Sequence, residues 1–88
     1  MGVIAAVMAL ARLPRGTRAS VADVRPGPST TTGNLPARLR ELGFLDGEDV
    51  QVLTRGLAGG PIVVRVGSST FALRAAEAEC VLVHRPPA

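Results

Sequence analysis

The residues most able to do nucleophilic or metal chemistry in this 88-residue chain are its single cysteine, Cys80, and its single histidine, His84, four positions apart. On a helix that spacing would place both on one face, able to share a proton or a metal ion. The residues between them, Val81, Leu82 and Val83, favour a strand instead, which holds the two about 13 Å apart. Cys80 is therefore expected as a buried structural thiol and His84 as a solvated residue beside the terminal tail. One cysteine rules out an intrachain disulfide and a multi-thiolate metal site. It fits a reducing compartment, so a cytoplasmic location is expected. No Gly-x-x-x-x-Gly-Lys-Ser/Thr stretch is present, so any nucleotide hydrolysis belongs to a partner. No catalytic residue is assigned, and the chain is expected to be no enzyme and to need no cofactor beyond an adventitious divalent ion.

All ten basic residues are arginine, which gives a sequence pI near 11.1 on a net charge of only +3. The pI overstates the basicity because guanidinium hardly deprotonates. Residues 1–33 carry Arg12, Arg15, Arg18 and Arg25 against Asp23, and residues 34–88 balance six arginines with six acids. Small barrels that bind nucleic acid stack bases on exposed aromatics. The only aromatics here, Phe44 and Phe71, both fall in apolar register. A charge of +3 is weak attraction for phosphate, so nucleic acid is not an expected partner.

The elements that position these residues are short. Gly2 to Ala11 is an uncharged apolar run about half the length of a membrane span, so no membrane insertion is expected. It reads as an extension, residues 1–7, ahead of a single domain over 8–84 and a tail over 85–88. A Pro14–Gly16 turn leads to a first strand with Ala19 and Val21 on one side. The Pro, Gly, Ser and Thr residues from Arg25 to Asn34 then read as a loop. Asn34 is a good N-cap, and Leu35, Leu39 and Leu42 make one apolar stripe on a short helix over about 35–42. Gly43 closes that helix, and Phe44 packs back on it. Val50 and Val52 alternate with polar residues in the next strand. Gly56–Pro61 is a hairpin connection, with Leu57 at its tip. Ile62, Val64 and Val66 face one way, Phe71 and Leu73 point inward, and Ala75 to Glu79 suit one helical turn before a strand through Val81 and Val83. The expected fold is mainly β: a small antiparallel barrel of about five strands with one short α-helix.

Five motifs occur in order: Leu13-Pro14-x-Gly16, then Arg38-Leu39-x-x-Leu42-Gly43, then Gly47 four residues later, then Gly59-Gly60-Pro61-Ile62, and last Ala72-Leu73-Arg74-x-x-Glu77-Ala78. Over roughly residues 8–84 the chain resembles ferrous iron transport protein A, FeoA. The resemblance implies an SH3-like barrel, a cytoplasmic location and a regulatory role through protein contact with FeoB, the ferrous iron transporter with a cytoplasmic GTPase part. Exposed arginines beside an apolar loop residue suit a partner surface, which points to Arg38, Arg40 and Leu57. Arg74 is expected to pair with an acid of the barrel wall. Ferrous iron prefers clusters of imidazole and carboxylate, and His84 with scattered acids is only a weak candidate ligand. Divalent-metal sensing is the first alternative function and nucleic-acid binding the second. Homo-oligomerisation is left open. DtxR-type repressors carry the same barrel behind a helix-turn-helix, for which this chain has no room.

Overall fold

The computed structural model describes residues 6–27, 34–56 and 60–85. In chain order these form β1 (Ala6–Ala9), a 3-10 turn (Leu10–Arg12), β2 (Arg18–Val24), α1 (Leu35–Leu42), β3 (Asp49–Arg55), β4 (Ile62–Val66), β5 (Ser69–Leu73), α2 (Ala75–Glu79) and β6 (Val81–Arg85). The six strands make one antiparallel sheet in the order β1-β6-β2-β3-β4-β5. The expected mainly β architecture with one main helix holds. The additional strand is β1, which opens at Ala6 inside the apolar run read as an extension and pairs Val7 with His84 and Met8 with Val83.

Period-two alternation decides the core. Val50 and Val52 of β3 stand opposite Val66 and Val64 of β4, and all four are buried. Val21 and Val83 meet in the same way across β2 and β6. The register slips between Val21 and Asp23 in β2 and between Val52 and Thr54 in β3. An extra residue at each slip bends its strand, which lets the short sheet curl over its own apolar face. That face closes on Leu10, Leu13, Leu39 and Phe44, and every buried side chain among the described residues is apolar.

α1 covers one side of the curl. Its buried residues are Pro36 and Leu39, whereas Leu35 is half-buried and Leu42 exposed, so the contact line is displaced from the expected leucine stripe. At barely more than two turns, the helix takes its orientation from its ends. At the C-terminal end, Gly43 adopts φ 121°, and the Phe44 amide donates to the Leu39 carbonyl at 3.1 Å. That bond turns Phe44 under the last turn, where it is fully buried and its ring meets Phe71 at 6.2 Å. The expected cap at the other end does not form. Asn34 is itself near-helical, at φ −91° and ψ −7°, and makes no side-chain cap bond; only its carbonyl accepts, from Arg38 N–H at 3.0 Å.

Candidate functional site

Cys80 and His84 do not meet. Cys80 ends α2, fully buried, with Sγ donating to the Ala76 carbonyl at 3.4 Å, while His84 lies exposed on the outer side of β6. Among the described residues no three of His, Cys, Asp and Glu gather as metal ligands. Arg74 makes no ion pair with a barrel-wall acid there either. Its backbone N–H donates to the Glu77 carboxylate at 2.7 Å, so Glu77 serves the first turn of α2 instead.

The two helix arginines separate in role. The Arg40 guanidinium donates to the Val24 carbonyl and stands 3.6 Å from Asp23 Oδ1, which ties α1 to the end of β2. Asp23 also accepts from Val24 N–H at 2.8 Å and from Arg25 Nη2 at 3.1 Å. The backbone hydrogen bond, followed by the Arg25 side-chain bond and then the charges of Arg25 and Arg40, holds the Asp23 carboxyl below its ordinary value of 3.8 despite partial desolvation. Arg38 is exposed and makes no ion pair among the described residues. Exposed Leu42, one turn on, and Leu45, 53% exposed, follow it at the end of the helix. Leu57 lies outside the described residues.

Of the grooves lined by described residues outside α1, two run beside β2 or β6. One, of about 310 Å³, crosses β2, β3 and β4 between Arg18, Asp49, Gln51 and Arg65. Its polar groups already satisfy one another: Arg65 donates to Gln51 Oε1 at 2.6 Å, Gln51 donates to the Gly16 carbonyl at 2.8 Å, and Arg18 stands 3.9 Å from Asp49. The other, of about 560 Å³, lies where β1, the 3-10 turn, α2 and β6 meet, and is lined by Val7, Met8, Ala9, Ala11, Arg12, Glu79 and Leu82. Sequence reasoning passed over this second groove because none of its charged residues is near another in the chain. No helix among the described residues is long and apolar enough to cross a membrane.

Comparison with known proteins gives the family and the fold. The FeoA domain model matches residues 8–85. No curated protein matches the chain in sequence. Among solved structures, the Stenotrophomonas maltophilia FeoA, a prokaryotic SH3 domain protein complexed with zinc and described as a candidate ferrous iron transport activating factor, is 42% identical. The match covers 86% of this chain and 88% of that one, with a TM-score of 0.75. The Chlorobium tepidum FeoA protein is 32% identical over 91% of this chain and 71% of its own, with a TM-score of 0.74. A manganese-dependent transcriptional repressor shares the fold at 20% identity and a TM-score of 0.77, over 96% of this chain and 44% of its own. The curled six-stranded sheet is thus an SH3-like barrel.

Proposed function

Because the chain belongs to the FeoA domain family, whose pattern spans residues 8–85, we propose that it is a non-enzymatic accessory protein of bacterial ferrous iron uptake. It acts in the cytoplasm by contact with a FeoB-type transporter, through that transporter's cytoplasmic GTPase part, and needs no cofactor of its own. The family match carries this reading. The all-apolar core supports it, since the chemistry left to such a barrel is on its outside.

The docking face is the side of α1. Arg38, which makes no ion pair among the described residues, precedes exposed Leu42 and Leu45, the combination of rim charge and apolar anchor found at protein interfaces. Arg40 belongs to the fold through Asp23 and is a support of that face rather than a contact. Leu57, in the sequence between β3 and β4, is the remaining residue that the sequence assigns to partner contact. The test is capture of the FeoB cytoplasmic domain by the purified protein, with and without guanine nucleotide. Binding that Arg38→Glu or Leu57→Glu weakens about tenfold or more is the expected result. No binding in either nucleotide condition overturns the reading.

The zinc complex of the Stenotrophomonas protein favours a second reading, divalent-metal sensing, which here would fall to His84. Micromolar ferrous or zinc binding abolished by His84→Ala is its signature.

A further inference from the structure

β5 ends the sheet on the side opposite β1, and β4 is its only partner there. Gly67 and Ser68 make a two-residue turn between these strands, so Val66 and Ser69 form a hydrogen-bonded pair. Such pairs recur at every second residue, which turns the amides and carbonyls of Ser69, Phe71 and Leu73 towards β4. The Gly67 amide, donating to the Asp49 carbonyl of β3 at 2.9 Å, fits the same phase. The amides and carbonyls of Thr70 and Ala72 point away from the sheet, and among the described residues nothing bonds to them. Both residues are exposed. Edges of this kind are ordinarily guarded by a proline, a charge, a bulge or a covering element. β5 has no proline and no charged residue, and its register runs without a slip from Leu73 opposite Ile62 to Ser69 opposite Val66. Two outward amides and two outward carbonyls, about 6.6 Å apart along the strand, are complementary to another extended backbone.

The charge around this edge selects the kind of chain that fits it. From Val50 to Ala76 there is no acidic residue, against Arg55, Arg65 and Arg74. Arg55 is held by the Leu13 carbonyl. Arg65 stands opposite Thr70 on the outer face, and its hydrogen bond goes to the neutral Gln51 side chain. Arg74 lines a hollow of about 420 Å³ at the end of β5, with Pro61, Leu73 and Ala75. Neither Arg65 nor Arg74 forms an ion pair among the described residues. On the core-facing side, Phe71 is only half-buried, although its ring meets Phe44. A strand laid against β5 places one side chain beside Phe71, where an apolar group is favoured. Its neighbours fall on the other face beside Thr70 and Ala72, where acids meet Arg65 and Arg74. A second copy of β5 brings the same arginines and no acid, so it lacks the complement.

We propose that the β5 edge is a strand-addition site: an extended segment of a partner protein, alternating apolar and acidic residues, pairs its backbone with Thr70 and Ala72. The site involves none of Arg38, Leu42 and Leu45, so it stands whether or not FeoB binds at α1.

An acetylated, amidated heptapeptide of alternating glutamate and valine is the probe, read by amide hydrogen exchange of the full chain in NMR. At about 1 mM peptide, the Thr70 and Ala72 amides are expected to exchange about threefold or more slowly. Ser69, Phe71 and Leu73, already bonded to β4, change little. Arg65→Glu and Arg74→Glu each weaken the protection, and a peptide of alternating lysine and valine gives none. Ala72→Pro removes an outward amide that β4 does not use, so binding is lost while circular dichroism shows a folded chain. A glutamate peptide N-methylated at its glutamates makes the same point on the wild-type chain: it keeps every side chain, loses the backbone donors and gives no protection. No protection by the unmodified glutamate peptide, equal protection by the lysine peptide, or protection that survives N-methylation overturns the proposal. So does protection of the same two amides that rises with protein concentration alone, which marks a second copy as the occupant.

Discussion

Asp23 gathers more interactions than any other acid described here. It receives the Val24 amide, the Arg25 guanidinium and the charge of Arg40 from α1, and its carboxyl titrates below the ordinary range as a result. A carboxyl with a depressed folded value stabilises the fold at pH above its unfolded value, about 3.9. That stabilisation is lost as pH falls through the lower folded value. Urea titrations are therefore expected to give wild type a higher midpoint than Asp23→Asn at pH 7, with the gap closing below about pH 4. A gap of constant size down to pH 2 would sink the assignment. The pairing of Asp23 with Arg40 was hidden in the sequence, because the two lie 17 positions apart across a loop and no local period connects them. Cys80 and His84 were legible for the opposite reason: the three apolar residues between them already set a strand's spacing.

At the scale of elements, β3, β4 and β5 could be read from alternation alone, because one face of each meets the core and the other meets water. β1 could not. Its four residues, Ala6 to Ala9, are all apolar, so no period shows, and only pairing with β6 reveals a strand. The short helix was found in the right place from Pro36 and the leucines, yet its buried line was misplaced. Leu39 is buried and Leu35 packs in part against the core, but Leu42 is exposed and Pro36 is buried instead, with the Gly43–Phe44 closure ending the helix. That closure depends on a backbone conformation at φ 121°, which side chains with a Cβ avoid. Gly43→Ala is expected to destabilise the protein by about 1–2 kcal/mol in urea unfolding, although the nearest atom to the new methyl, Val66 Cγ1, is a comfortable 3.9 Å away. An unchanged midpoint would mean that the helix end does not need the left-handed form.

For the molecule as a whole, residues from every described strand but β5's outer end and β1's outer face converge on one cluster that includes Leu13 before β2 and Leu73 at the end of β5. A single core of this kind unfolds as a unit. Leu13→Ala and Leu73→Ala, from opposite parts of the chain, should each cost about 2–5 kcal/mol and shift fluorescence-independent probes such as circular dichroism and calorimetry to the same new midpoint. Two separated transitions would contradict one cooperative core. The candidate docking residues were less legible than the fold. Arg38 and Arg40 look equivalent in sequence, since both lie off the leucines, and only the proximity of β2 makes Arg40 a structural clamp, while Arg38 makes no ion pair among the described residues.

The single thiol is fully enclosed, its hydrogen committed to the Ala76 carbonyl. A thiol so enclosed reacts with iodoacetamide only during excursions in which the surrounding packing parts. Its alkylation rate therefore counts those excursions in the native protein, providing an internal clock for barrel opening that needs no dye and no denaturant.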